Sequence, residues 1–101
     1  IAVSDIVEVG TTIQFQVRDP ATAGDDLRLL LLGHPSDAAL VFTCNGRGTS
    51  MFGDPHHDAQ IVEDHLGHAP ITGMFCAGEF GPVGRRNALH GFTAAVALFR
   101  N

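Results

Sequence analysis

The chain has 101 residues, 45% apolar and 17% charged, and its net charge of −5 is balanced among six arginines and no lysine. That length makes one domain at most, with enough apolar residues for a core and too few charges for a disordered or coiled-coil chain. Its acidic balance, with Arg85-Arg86 as the single adjacent basic pair, argues against nucleic acid and against an anionic membrane surface as partners. No apolar run is long enough to span a bilayer. The first residue is not Met and no signal-peptide pattern follows, so the chain is expected to be the tail of something longer. Two cysteines are too few for a disulfide framework, and both are expected to stay reduced, which places the protein in the cytoplasm.

Ile6, Val7 and Val9 suggest a first strand, broken by Gly10. From Thr11 to Arg18 the pattern alternates, with Ile13, Phe15 and Val17 on one side and Gln14, Gln16 and Arg18 on the other, and this predicts a half-buried second strand. Its polar face, ending at Arg18, is either solvent-facing or one wall of a site. Asp19-Pro20 then opens a helix, with Asp as N-cap and Pro in the first turn. Thr22 with Asp25 offers a second start signal. Leu27, Leu30 and Leu31 give that helix an apolar face, the run Leu29 to Leu32 reads as buried, and Gly33 with Pro35 stops it. Ala38 to Cys44 has almost no polar residue and predicts a strand buried on both faces.

Asn45 to Gly53 reads as a glycine-rich loop, and Asp54-Pro55 repeats the helix-start signature. Ala59, Val62 and Leu66 form the second helix face, which Gly67 ends. Pro70 to Cys76 predicts another strand, a second glycine-rich loop runs through Gly84, and Ala88 to Phe99 predicts a last strand with a kink at Gly91. The expected fold is therefore an α/β (or α+β) domain, a mixed sheet of about five strands with two helices, in the order β-β-α-β-α-β-β.

The chain states one phrase twice. Val41-Phe42-Thr43-Cys44-Asn45-Gly46-Arg47-Gly48 is matched by Met74-Phe75-Cys76-Ala77-Gly78-Glu79-Phe80-Gly81. One helix between two such strands makes a βαβ unit, so the strands should be parallel neighbours. Both glycine loops then meet at the carboxyl edge of the sheet, where ligands bind open α/β sheets, and their backbone N–H groups can cradle a ligand. The candidate pocket is thus walled by Cys44, Asn45, Gly46, Arg47 and Gly48 on one side and by Gly78, Glu79 and Gly81 on the other. Aligning the copies sets Arg47 against Glu79, as a pair across the crevice or as a clamp for a zwitterion. Arg47 beside Cys44 would favour the thiolate, whereas Cys76 reads as a packing residue. Asn45 and Asn87 either orient a ligand or satisfy loop backbone.

Two sharper chemistries carry less weight. Asp54, His56, His57, Asp58, Glu63, Asp64 and His65 are a dense group of potential metal ligands, but they show neither an HExxH nor a finger spacing, so no metal and no cofactor is expected. A Cys44/His90 dyad would be the enzymatic reading, but no third orienting residue is evident.

Several phrases together resemble the C-terminal half of the FIST family of sensory domains. They are Gln14-Phe15-Gln16-Val17-Arg18-Asp19, Cys44 to Gly48, Phe52-Gly53, His57-Asp58, Phe75 to Glu79, Gly81-Pro82-Val83-Gly84, and Asn87 with His90-Gly91-Phe92-Thr93. The resemblance covers nearly the whole chain. It implies a single domain over 1–101 that is the later part of a FIST C domain, preceded by an N-terminal FIST half. It also implies a signalling partner, attached or separate, and a small amino-acid-like ligand. It adds His57, Asn87, His90 and Arg18 to the ligand-binding candidates. The expected function is non-enzymatic sensing of a small polar metabolite in signal transduction. The alternatives are a Cys44-dependent enzyme and a protein adaptor with no small ligand.

Overall fold

The computed structural model describes Val3 and residues 6–101. Nine elements follow one another: α1 (Pro20–Leu31), β1 (Ala38–Cys44), a 3-10 turn (Asn45–Arg47), α2 (Thr49–Phe52), α3 (His57–Leu66), β2 (Ile71–Cys76), β3 (Glu79–Val83), β4 (Arg86–His90) and β5 (Ala94–Phe99). The α/β class and the five strands agree with the sequence reading, but the strands are arranged differently. They form a three-stranded sheet in the order β2-β1-β5 and a separate β3-β4 hairpin.

β1 is central, parallel to β2 and antiparallel to β5. The expected βαβ crossover is present, and Cys44 pairs in register with Cys76. Gly73 sits opposite Val41, where a Cβ would fall inside the van der Waals radius of the Val41 carbonyl. Only glycine lets β2 approach β1 this closely. α1 and α3 cover one face of the sheet, and Leu27, Leu31, Ala39, Val41, Ile61 and Val62 form the core there. The other face carries Leu40, Phe42, Met74, Ala95, Ala97 and Phe99, with Met74 64% and Phe99 51% exposed. β1 is thus buried on one face and only half-buried on the other, because nothing among the described residues covers its second apolar side.

The start of α1 follows its sequence signals. Asp19 is the N-cap, and its Oδ2 accepts from the Thr22 backbone N–H at 2.7 Å and the Thr22 hydroxyl at 2.6 Å. Gly33, at φ +78, stands just past its end. The buried stripe is Gly24, Leu27 and Leu31. Leu29, Leu30 and Leu32 are exposed, because four consecutive leucines spread around a helix and one stripe can claim only one of them.

Six other expectations are corrected. Thr11 to Arg18 alternates but forms no strand, and Ile13, Phe15 and Val17 are exposed, because no described sheet edge pairs with it. The Ile6–Val9 stretch likewise has no ladder. In place of one helix between the cysteines, the Asn45–Gly53 loop winds into a 3-10 turn and the one-turn α2, which Gly53 at φ +74 ends. Asp54 does not cap α3; its Oδ1 accepts from the His56 N–H at 2.8 Å in a local turn, and α3 begins at His57. The second glycine-rich loop is the β3-β4 hairpin, which turns at Gly84 (φ +61) and Arg85, and the predicted last strand divides at Gly91-Phe92.

Candidate functional site

The 3-10 turn directs Arg47 inward under α1 and α3, where it is 6% exposed. Its guanidinium meets Asp58 in a two-pronged pair, Nε to Oδ2 at 2.7 Å and Nη2 to Oδ1 at 2.8 Å. Nη1 donates to the Phe92 carbonyl at 3.2 Å and Nη2 to the Ala23 carbonyl at 3.4 Å. Four of the five guanidinium N–H groups are therefore committed inside the protein. The expected pairing of Arg47 with Glu79 is not formed. Its partner is Asp58, 4% exposed in the first turn of α3.

Asp58 is held from a second side by His57, whose Nδ1–H donates to Oδ1 at 3.1 Å. The His57 ring stacks on Phe52 with centroids 3.6 Å apart, and the Arg47 guanidinium carbon lies 5.1 Å from the Phe52 centroid. Gly24 of α1 makes room, since a Cβ there would stand 3.1 Å from the His57 ring. Burial pushes the Asp58 carboxyl up, but the hydrogen bonds from Arg47 and His57 and their charge outweigh it and hold the group below its ordinary value. Asp58 could have been found in the sequence. It shares a helix stripe with Ile61 and Val62, and a charge on a buried stripe requires a buried counter-ion.

The remaining candidates divide into two groups. Phe92, at φ +61, lies against Gly46, where a Cβ would meet its ring at 2.7 Å, and Arg18 stands 4.1 Å above its centroid. Gly46, Arg18 and His57 thus pack around the Arg47 lock. Gly48 leads into α2 close to Phe75, Asn45 is exposed, and Cys44 is half-buried, with its backbone N–H donating to the Thr93 carbonyl at 2.9 Å. The second group follows β2. Gly78 is open, Asn87 is exposed opposite Pro82, and the His90 Nε2–H donates to the Gly81 carbonyl at 3.2 Å. Glu79 accepts from the Thr93 hydroxyl through Oε2, while its buried Oε1 has no hydrogen-bond partner among the described residues. No hydrogen bond joins Cys44 to His90 among the described residues, and no three of their His, Cys, Asp and Glu side chains are placed to hold a metal ion.

A cleft of about 270 Å³ runs along β2 beside the carboxyl half of β1, below the start of α3. Val41, Ala59, Ile71 and Phe75 give it apolar walls, and Arg47, Asp58 and Thr43 border it. Thr43, 6% exposed, makes no side-chain hydrogen bond among the described residues. Among the twelve site residues expected from sequence, Arg47 lines this cleft, and Arg18 lines a shallower hollow beside Phe92. Thr43 escaped notice because an apolar strand masks one threonine among its packing residues.

A family model described as the FIST C domain matches residues 1–82. Among curated relatives, the uncharacterized protein Rv0628c of Mycobacterium tuberculosis is 55% identical over 105 aligned positions, covering 98% of this chain and 27% of the relative. The uncharacterized protein Mb0898c of Mycobacterium bovis is 53% identical over the same shares. The chain spans about a quarter of the length of these relatives. No solved structure matches. No helix among the described residues is long and apolar enough to cross a membrane.

Proposed function

Because the chain belongs to the FIST C-domain family, we propose that it is a non-enzymatic sensory module that holds a small metabolite and reports its presence to a signalling partner. The observation that carries this reading is the cleft between α3 and the β1-β2 edge, with apolar walls and a Thr43 side chain that makes no hydrogen bond among the described residues. A concave, mostly apolar site with a few polar groups is the usual form of a small-molecule site. The Arg47 lock spans its border and ties α1, α3 and the β4-β5 turn together. A ligand pressing on α3 would therefore strain contacts at three elements, which is a route from binding to a distant partner. A thermal-shift and ligand-observed NMR screen of small metabolites tests the reading, with Ala59→Trp as the cleft-filling control. Ligands should raise the melting temperature of the parent and not of the variant; equal shifts in both would overturn it.

A second reading, a protein-docking domain, is favoured by the uncovered sheet face with Phe42, Met74 and Phe99. In that case Phe99→Glu, which lies away from the cleft, should abolish partner capture, and capture unchanged by it would overturn this second reading.

A further inference from the structure

Building on the ligand-binding reading, we propose that the cleft selects uncharged small molecules, with an apolar body and one hydrogen-bonding end group, such as a primary amide or an alcohol, that meets Thr43. The argument is one of commitments. The two buried charged side chains bordering the cleft, Arg47 and Asp58, neutralise each other at 2.7 and 2.8 Å, and the third titratable group on its lining, His56, is exposed at the rim where water screens it. His57 and two backbone carbonyls take up further hydrogen bonds and leave one guanidinium N–H, whose charge Asp58 already neutralises. A carboxylate ligand would have to draw Arg47 from Asp58 and leave a buried carboxylate without its counter-ion. An ammonium would have to draw Asp58 from Arg47 and leave the guanidinium uncompensated. Each exchange trades a well-formed buried pair for a stranded charge, which is strongly unfavourable.

Thr43 stands outside that pair. Its side chain is on the helix-covered face of β1, in register with Phe75 of β2 and Ala94 of β5, so its neighbours across both ladders offer it no polar side chain. A hydroxyl both donates and accepts, so it can answer a ligand hydroxyl, carbonyl or amide but carries no charge to answer an ion. Val41, Ala59, Ile71 and Phe75 favour an aliphatic or aromatic body. The volume of about 270 Å³ lies at the small end for ligand pockets and, at ~30 Å³ per water-sized atom, sets a limit of roughly ten heavy atoms.

The test uses four probes that share one short alkyl chain: pentanamide, pentanoate, pentylammonium and norvaline. Each is titrated at neutral pH into isotope-labelled protein, and the backbone amides of Val41, Thr43, Ala59 and Gly73 are followed. Pentanamide should shift these amides and bind about tenfold more tightly than any charged probe. Thr43→Val should weaken pentanamide by about fivefold, the loss of one ordinary hydrogen bond, and Thr43→Ser should restore it. Tighter binding of pentanoate, pentylammonium or norvaline at the same amides would overturn this inference and leave the ligand-binding reading standing. Binding of no probe would overturn both.

Discussion

At the scale of single residues, the Arg47–Asp58 pair decides more than any other contact, and its two partners are not symmetric in what they risk. Asp58→Ala leaves a guanidinium that is 6% exposed without its counter-ion, and it should cost about 3–5 kcal/mol in urea denaturation. That is a large part of the ~5–15 kcal/mol that holds such a domain together. The double replacement Arg47→Met with Asp58→Leu removes both charges and should recover most of the loss. Acid should reproduce the single variant. The native Asp58 carboxyl titrates below its unfolded value, so its contribution is fully present above about pH 4 and disappears as pH falls through the lowered native value. Urea midpoints measured from neutral pH down to about pH 3 should therefore fall more steeply in the parent than in the double variant.

At the scale of elements, the geometry that matters most rests on a missing side chain. Gly73→Ala would push β2 away from β1 at the Val41 carbonyl, across the parallel pair that also sets the cleft's width. It should cost about 3 kcal/mol or more, and amide exchange should speed up along β2 before it does in β5. Much of this level was legible in the sequence. Asp19-Pro20 and Gly33 bounded α1, and the repeated Cys-x-Gly phrase located β1 and β2 and their parallel pairing, because caps and buried strands act through local residues. Other features were hidden because they depend on distant partners. Glu79 to Val83 looked like loop because Gly81 and Pro82 are poor strand formers, and only pairing with Arg86 to His90 makes it a strand. Thr11 to Arg18 looked like a strand because alternation records a buried face, but the surface that would bury it is not among the described residues. Asp58 stood in the sequence as one of a dense group of potential metal ligands, and its helix stripe with Ile61 and Val62 asked for a buried counter-ion without saying that Arg47 would be it.

At the scale of the molecule, the shape is long, 52 × 32 × 23 Å with a radius of gyration of 15.8 Å, against about 13 Å for a compact chain of this length. Apolar side chains lie open along it: Phe15, Leu30, Phe80 and Leu89 are each more than two-thirds exposed, and the second sheet face carries Met74 and Phe99. An exposed apolar surface of this kind marks an interaction face. The 101-residue chain on its own should bind a hydrophobic dye and self-associate, as read by light scattering after size exclusion. Met74→Glu with Phe99→Glu should shift it toward monomer; unchanged mass would show that the sheet face is not what associates.

The Arg47 hub also has a consequence in time. Its hydrogen bonds reach partners 11, 24 and 45 residues away in the chain, so it can close only after α1, α3 and the β4-β5 turn have all been assembled. Contacts that wait on long loops form late, after the folding barrier has been crossed. The hub therefore acts as a latch on the way out rather than a guide on the way in. Stopped-flow measurements on Asp58→Ala should find unfolding accelerated far more than folding is slowed, so that the latch governs how long each molecule stays folded.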